Sequence, residues 1–173
     1  MAFALLAAGC LVADPPNSTD PEKTPPLLLL GQADPPVYVV TKLSTKSPTP
    51  RIPISVPVRS EDSGDRLHFD FYVDWNGADQ DIIEGRYVDP STFSDTSRSI
   101  DTEWAYGSLT NAGCKQVTLV VTHASNFVAT YPTPVYTNPA DFAIATWFFN
   151  VDDDPIGTNT LSGCPTPTPN EPQ

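Results

Sequence analysis

The residues able to do chemistry in this chain are mostly carboxylates. The 173 residues hold 21 Asp and Glu against 9 Lys and Arg, with two His and three Cys. Two acidic clusters stand out, Asp74 to Asp81 and Asp152-Asp153-Asp154. Oxygen ligands gathered by loops at one end of a domain can hold calcium, so Asp74, Asp79, Asp152 and Asp154 are candidate ligands. Their spacing matches no calcium loop, because Gly77 comes too early for the EF-hand pattern, and Asn76-Gly77 reads equally well as a hairpin turn. A second group is His68, Asp70, Tyr72 and Asp74, alternate residues that share one face of a strand. A His between carboxylates can act as an acid or base. The same four residues also suit the solvated face of an antiparallel strand, which is the reading adopted. Ser125 beside His123 makes no triad by itself. The chain has no Gly-x-Ser-x-Gly elbow, phosphate loop or His-Glu-x-x-His, and no catalytic residue is expected. The third candidate is the long link from Ala124 to Ala140. Its Tyr131 and Tyr136, flanked by proline, would offer a rigid binding surface, or would pack on the domain as an inserted edge strand.

These residues need a scaffold, and proline placement outlines it. There are 20 Pro, but Pro90 alone falls between Val58 and Tyr131. Prolines on this scale disfavour helices. The net charge of -12 repels nucleic acid phosphates and bare anionic lipid, so no nucleic-acid partner is expected. Strict alternation over Arg66–Trp75 sends Leu67, Phe69, Phe71, Val73 and Trp75 inward. Lys115–His123 alternates too, with Val117, Leu119 and Val121 inward. Asp141–Val151 is apolar on both faces and predicts a central strand. Val37–Leu43, Ile52–Val58, Ile82–Val88 and Asp101–Gly107 are weaker strands, and Ser91–Ser94 suits a helical turn.

About seven short strands in roughly 120 residues predict an all-β fold, a single antiparallel β-sandwich over residues 37–157. In strand rhythm it resembles immunoglobulin-like and cadherin-like domains, with the Ile52 stretch, bearing Pro53 and Pro57, as an irregular edge strand. No cysteine stands on the Phe69 strand, and Ala112 occupies the place of a tyrosine corner, so an antibody-type domain is not expected.

The N-terminus, Leu6-Ala7-Ala8-Gly9-Cys10, resembles the lipobox of bacterial lipoproteins. The resemblance implies cleavage before Cys10 and an acyl chain on its thiol, with residues 1–9 as the remnant of a signal peptide. Its favoured Leu stands one place early, and the positive n-region is missing. Leu11 in place of Asp after the cysteine leans toward an outer-membrane destination. Residues 10–36 are rich in Pro and read as an extended tether. Within it, Leu27–Leu30 is too short to span a bilayer and is expected to dock as an extra edge strand or on a neighbour. With Cys10 acylated, Cys114 and Cys164 remain as a pair, and an exported protein would bridge them. An antiparallel pairing of Lys115–His123 with Ala143–Val151 would put Cys114 beside Val151 and Asp152, within reach of Cys164. The histidines carry no metal-ligand spacing to the cysteines. Residues 158–173 form a tethered, Pro/Thr-rich tail.

The resulting expectation is a cell-envelope lipoprotein with a non-catalytic binding or structural domain and an envelope protein or glycan as partner. No cofactor is expected beyond the calcium candidate. The alternatives are a surface-assembly subunit that pairs through its N-terminal segment or a strand edge, and an envelope hydrolase with a carboxylate site.

Overall fold

The computed structural model describes residues 23–74, 80–92, 94, 96–107, 113–129, 135–152 and 164. The expected all-β sandwich is the fold found. Three strands form one sheet in the order β1 (Leu27–Leu28), β3 (Arg51–Arg59), β6 (Ser97–Ala105). Five form the other: β2 (Thr41–Ser44), β10 (Phe142–Asp152), β7 (Gly113–His123), β4 (Leu67–Val73), β5 (Asp81–Val88). A short hairpin, β8 (Phe127–Val128) with β9 (Val135–Tyr136), lies apart from both sheets. All pairs are antiparallel except β2 on β10, which is parallel, so the larger sheet is mixed. Among the described residues the helical segments are two single 3₁₀ turns, Leu30–Gln32 and Ala124–Asn126. The stretch around Ser91–Ser94, as far as it is described, holds turns and bends. No described helix is long and apolar enough to cross a membrane.

Alternation builds the core. Leu67, Phe69, Phe71 and Val73 of β4, Val117, Leu119 and Val121 of β7, and Trp147, Phe149 and Val151 of β10 are all buried. They face Ile54, Val56 and Val58 of β3 and Ile100 and Trp104 of β6. Each such side chain withdrawn from water contributes ~1.5–3 kcal/mol. Trp75 lies outside the described residues.

Three expectations need correction. The Ile52 stretch is not an edge: β3 is the middle strand of its sheet. Its prolines are tolerated because the backbones of residues 53, 55 and 57 turn toward a ragged neighbour rather than toward β6. On that side Ser55 exchanges two bonds with Asp34, and Pro57 O accepts from Leu29 N, so few N–H donors are missed. The tether does not reach Pro36. Residues 23–36 form a strap on the domain, with Pro26, Leu28, Ala33 and Pro35 buried and the Trp147 indole donating to Pro35 O at 2.6 Å. Leu27–Leu28 does add a strand, opposite Val58 and Arg59. Third, β4 has no wet face, since all seven of its residues are buried.

The strands define two ends. One carries the turn at 60–66, the end of β5 and the start of β6, the end of β7 and the start of β10. The other carries the turn after β2, the ends of β4 and β6, the start of β7 and the end of β10.

Candidate functional site

The strongest polar constellation closes the first of those ends. On β3 the inward series Ile54, Val56, Val58 continues to Ser60, and on β7 the series Val117, Leu119, Val121 continues to His123. Two polar side chains therefore face each other where the apolar core stops. His123 is wholly buried, Ser60 is 1% exposed and Asp141 is 3% exposed. Ser60 Oγ lies 3.1 Å from His123 Nε2, and His123 Nδ1 lies 2.6 Å from Asp141 Oδ1. Asp62 adds a second carboxylate 3.5 Å from Nε2. With Nδ1 donating to Asp141 and Nε2 accepting from Ser60, the three groups follow the bonding order of a hydrolytic Ser-His-Asp triad.

Two features limit what this arrangement can do. Ser60 Oγ is shut away from any substrate carbonyl in this conformation. The Ser60 amide, a common donor to an oxyanion, is already spent on Thr96 O at 2.8 Å. Its neighbours make it a fastening. Thr24 N donates to Asp62 at 2.9 Å. Lys23 Nζ reaches Asp65 at 2.5 Å and Ser125 Oγ at 3.0 Å. Asn126 ties the link back by donating to Thr122 Oγ1 at 2.8 Å, Asn138 O at 2.9 Å and Asp141 O at 3.2 Å.

The second constellation sits on the outer face of the larger sheet, where His68, Asp70 and Tyr72 were expected in water. The link after β7 folds over them. Phe127 stacks on His68 with ring centroids 3.4 Å apart, and Tyr87 meets the same imidazole edge-on. His68 Nε2 bonds Asp70 Oδ2 at 3.0 Å, and Tyr136 donates to the same oxygen at 2.9 Å. With its proton so committed, Tyr136 accepts from Tyr72 at 3.1 Å. His68 Nδ1 is buried without a partner. Gly85 stands opposite Asp70 on β5, and a Cβ there would run into Asp70 Oδ1. The carboxylate is thus seated only because residue 85 has no side chain.

Burial pushes the Tyr72 phenol up to about 12, helped by the Asp70 charge and opposed by the bond to Tyr136. Tyr136 is raised too, first by burial and then by its bond to Tyr72. Below pH 10 the Tyr72 phenol is neutral in folded and unfolded chains alike, and its stabilisation is fully present. Between pH 10 and about 12 the unfolded chain alone releases this proton, so stability falls as pH rises. The loss is about 2–3 kcal/mol at most. Urea midpoints at pH 9 and pH 11.5 should drop for the native chain and drop less for Tyr72→Phe.

The other candidate residues divide. Cys114 and Cys164 are joined as a disulfide, with Cα atoms 5.0 Å apart. Cys114 stands opposite Asn150, two residues earlier on β10 than the pairing read from sequence. Asp74 ends β4 in the left-handed region, φ 49°, which Asp tolerates. Its carboxylate accepts from Gln116 N at 3.2 Å and Lys115 Nζ at 3.3 Å. Asp152 is not brought to it. Asp74 N bonds Gln116 O and Gln116 pairs with Phe148, so Asp152 lies two strands across and four residues along, roughly 17 Å away. Asp79 and Asp154 lie outside the described residues, as do Cys10 and Tyr131. Among the described residues no three His, Cys, Asp or Glu are grouped to hold a metal. An open groove of about 180 Å³ between β5 and β6 is lined by Phe69, Arg86, Tyr87, Val88, Ser99 and Asp101, and reaches neither Ser60 nor His123.

Sequence reasoning missed Ser60, Asp62 and Asp141. A signal was present: His123 shares the parity of Val117, Leu119 and Val121, which obliges it to point inward and to find polar partners there.

No family model and no curated protein matches the chain. Among solved structures it is similar to the β-glucosidase EmGH1 of Erythrobacter marinus, with 13% identity and a TM-score of 0.36, over 74% of this chain and 15% of that one. It is also similar to the ASH/PapD-like domain 7 of human CEP192, with 8% identity and a TM-score of 0.33, over 87% and 98%. Likenesses this distant assign no function.

Proposed function

We propose that this chain is an exported bacterial cell-envelope lipoprotein, held by an acyl chain on Cys10, whose sandwich works through non-catalytic binding or structural contacts. The observation that carries the reading is the pairing of Cys114 with Cys164. Such bridges persist in oxidising compartments and are rare in a reducing cytosol. The pairing leaves Cys10 as the odd thiol, where the lipobox resemblance asks for acylation. Sealed His123 and His68 clusters fit a module without an active site. Replacing Cys10 with alanine is expected to move the folded protein from the membrane fraction to the soluble fraction. Retention of Cys10→Ala in the membrane would contradict the anchor.

One observation favours a second reading, an envelope hydrolase: the bonding order of Ser60, His123 and Asp141. It predicts covalent labelling of Ser60 by a fluorophosphonate probe, lost in Ser60→Ala. The preferred reading predicts no Ser60 adduct on the folded chain.

A further inference from the structure

Resting on that lipid anchor, we infer that the sandwich faces the membrane with the end that carries Ser60, Asp62, Asp65 and Ser125. The end that carries the Cys114–Cys164 bridge is turned away. The strap sets this polarity. The described contacts begin at Lys23, which is fastened to Asp65 and Ser125, and at Thr24, which is fastened to Asp62. The chain then runs along β3 from Arg59, through Leu27, to Ser55, through Asp34. From there it passes into β2, which lies parallel to the last four residues of β10 and so runs toward the opposite end. The C-terminal attachment, Cys164 on Cys114, is at the start of β7 and at that opposite end.

Distances decide which end reaches the bilayer. Cys10 precedes Lys23 by 13 residues, which span at most about 47 Å when fully extended. The 11 residues of β7 make the domain about 37 Å long. To set the bridged end on the bilayer, the leader would have to run nearly straight along the whole domain. The strapped end needs no such extension, because the first described contacts of the chain lie there. The surface open to a partner away from the membrane is then the bridged end, with the turn after β2.

The test uses the full lipidated chain. With Cys10 acylated and Cys114 bridged to Cys164, an introduced cysteine is the single reactive thiol. Ser63→Cys marks the strapped end and Thr49→Cys the bridged end, and both positions are exposed. Each variant is labelled with a donor fluorophore and added to phosphatidylethanolamine/phosphatidylglycerol vesicles that carry a headgroup acceptor. Flotation first reports whether the chain is anchored. For floating protein, energy transfer severalfold larger from position 63 than from position 49 is expected. Equal transfer, or more from position 49, overturns the orientation while leaving the anchor intact. A chain that stays with the soluble fraction overturns the anchor, and the orientation falls with it.

Discussion

Asp141→Ala is expected to destabilise the domain by about 1–3 kcal/mol, the cost of leaving the buried His123 Nδ1–H without its acceptor. The Asp141 carboxylate is 4% exposed and meets a His123 side chain that is wholly enclosed. Without it Nδ1 loses the acceptor that the fold provides. Asp141→Asn keeps an oxygen in place and should cost less. The contrast is Glu103→Ala, which removes a carboxylate from Arg51 at the surface, with both partners more than half exposed. There the cost should be about 0–1 kcal/mol. Urea denaturation of the three variants checks the order. Equal losses for Asp141→Ala and Glu103→Ala would show that the His123 cluster holds little together.

Trp147→Ala should cost more, ~3–5 kcal/mol, by opening a cavity between the sheets. Trp147 is 1% exposed and packs against Phe71 with ring centroids 6.1 Å apart. Its indole also carries the bond to Pro35 O that holds the strap. Trp147→Phe separates the two contributions. It keeps most of the packing and orphans a carbonyl, for about 1–3 kcal/mol. Hydrogen exchange should then rise in residues 27–36 more than in β4 or β7. A uniform rise across the domain would mean that the strap is not fastened at this point.

The inward faces of β4, β7 and β10 were legible because alternation reports which residues share a face. It does not report what covers the second face. His68, Asp70 and Tyr72 read as solvated because nothing in the order of residues 124–141 says that the link folds back over them. The same limit hid the strap. Pairs of prolines between Pro15 and Pro36 look like a tether, but Pro26 and Pro35 are buried, and the intervening Leu27–Leu28 supplies a strand. Pro53 and Pro57 suggested an edge, which is right about the missing donors and wrong about the strand's place, since the neighbour on that side is thin rather than absent. Ser60, His123 and Asp141 come from separate stretches, and only the packing of β3 across the core from the paired β7 and β10 shows that they converge.

We propose an exported, lipidated and disulfide-bridged envelope module. The most direct measurement is the intact mass of the natively produced protein, before and after reduction. Loss of residues 1–9, added acyl mass on Cys10, and a gain of two protons on reduction as the Cys114–Cys164 bridge opens are expected. Retention of Met1 with all thiols free would contradict it.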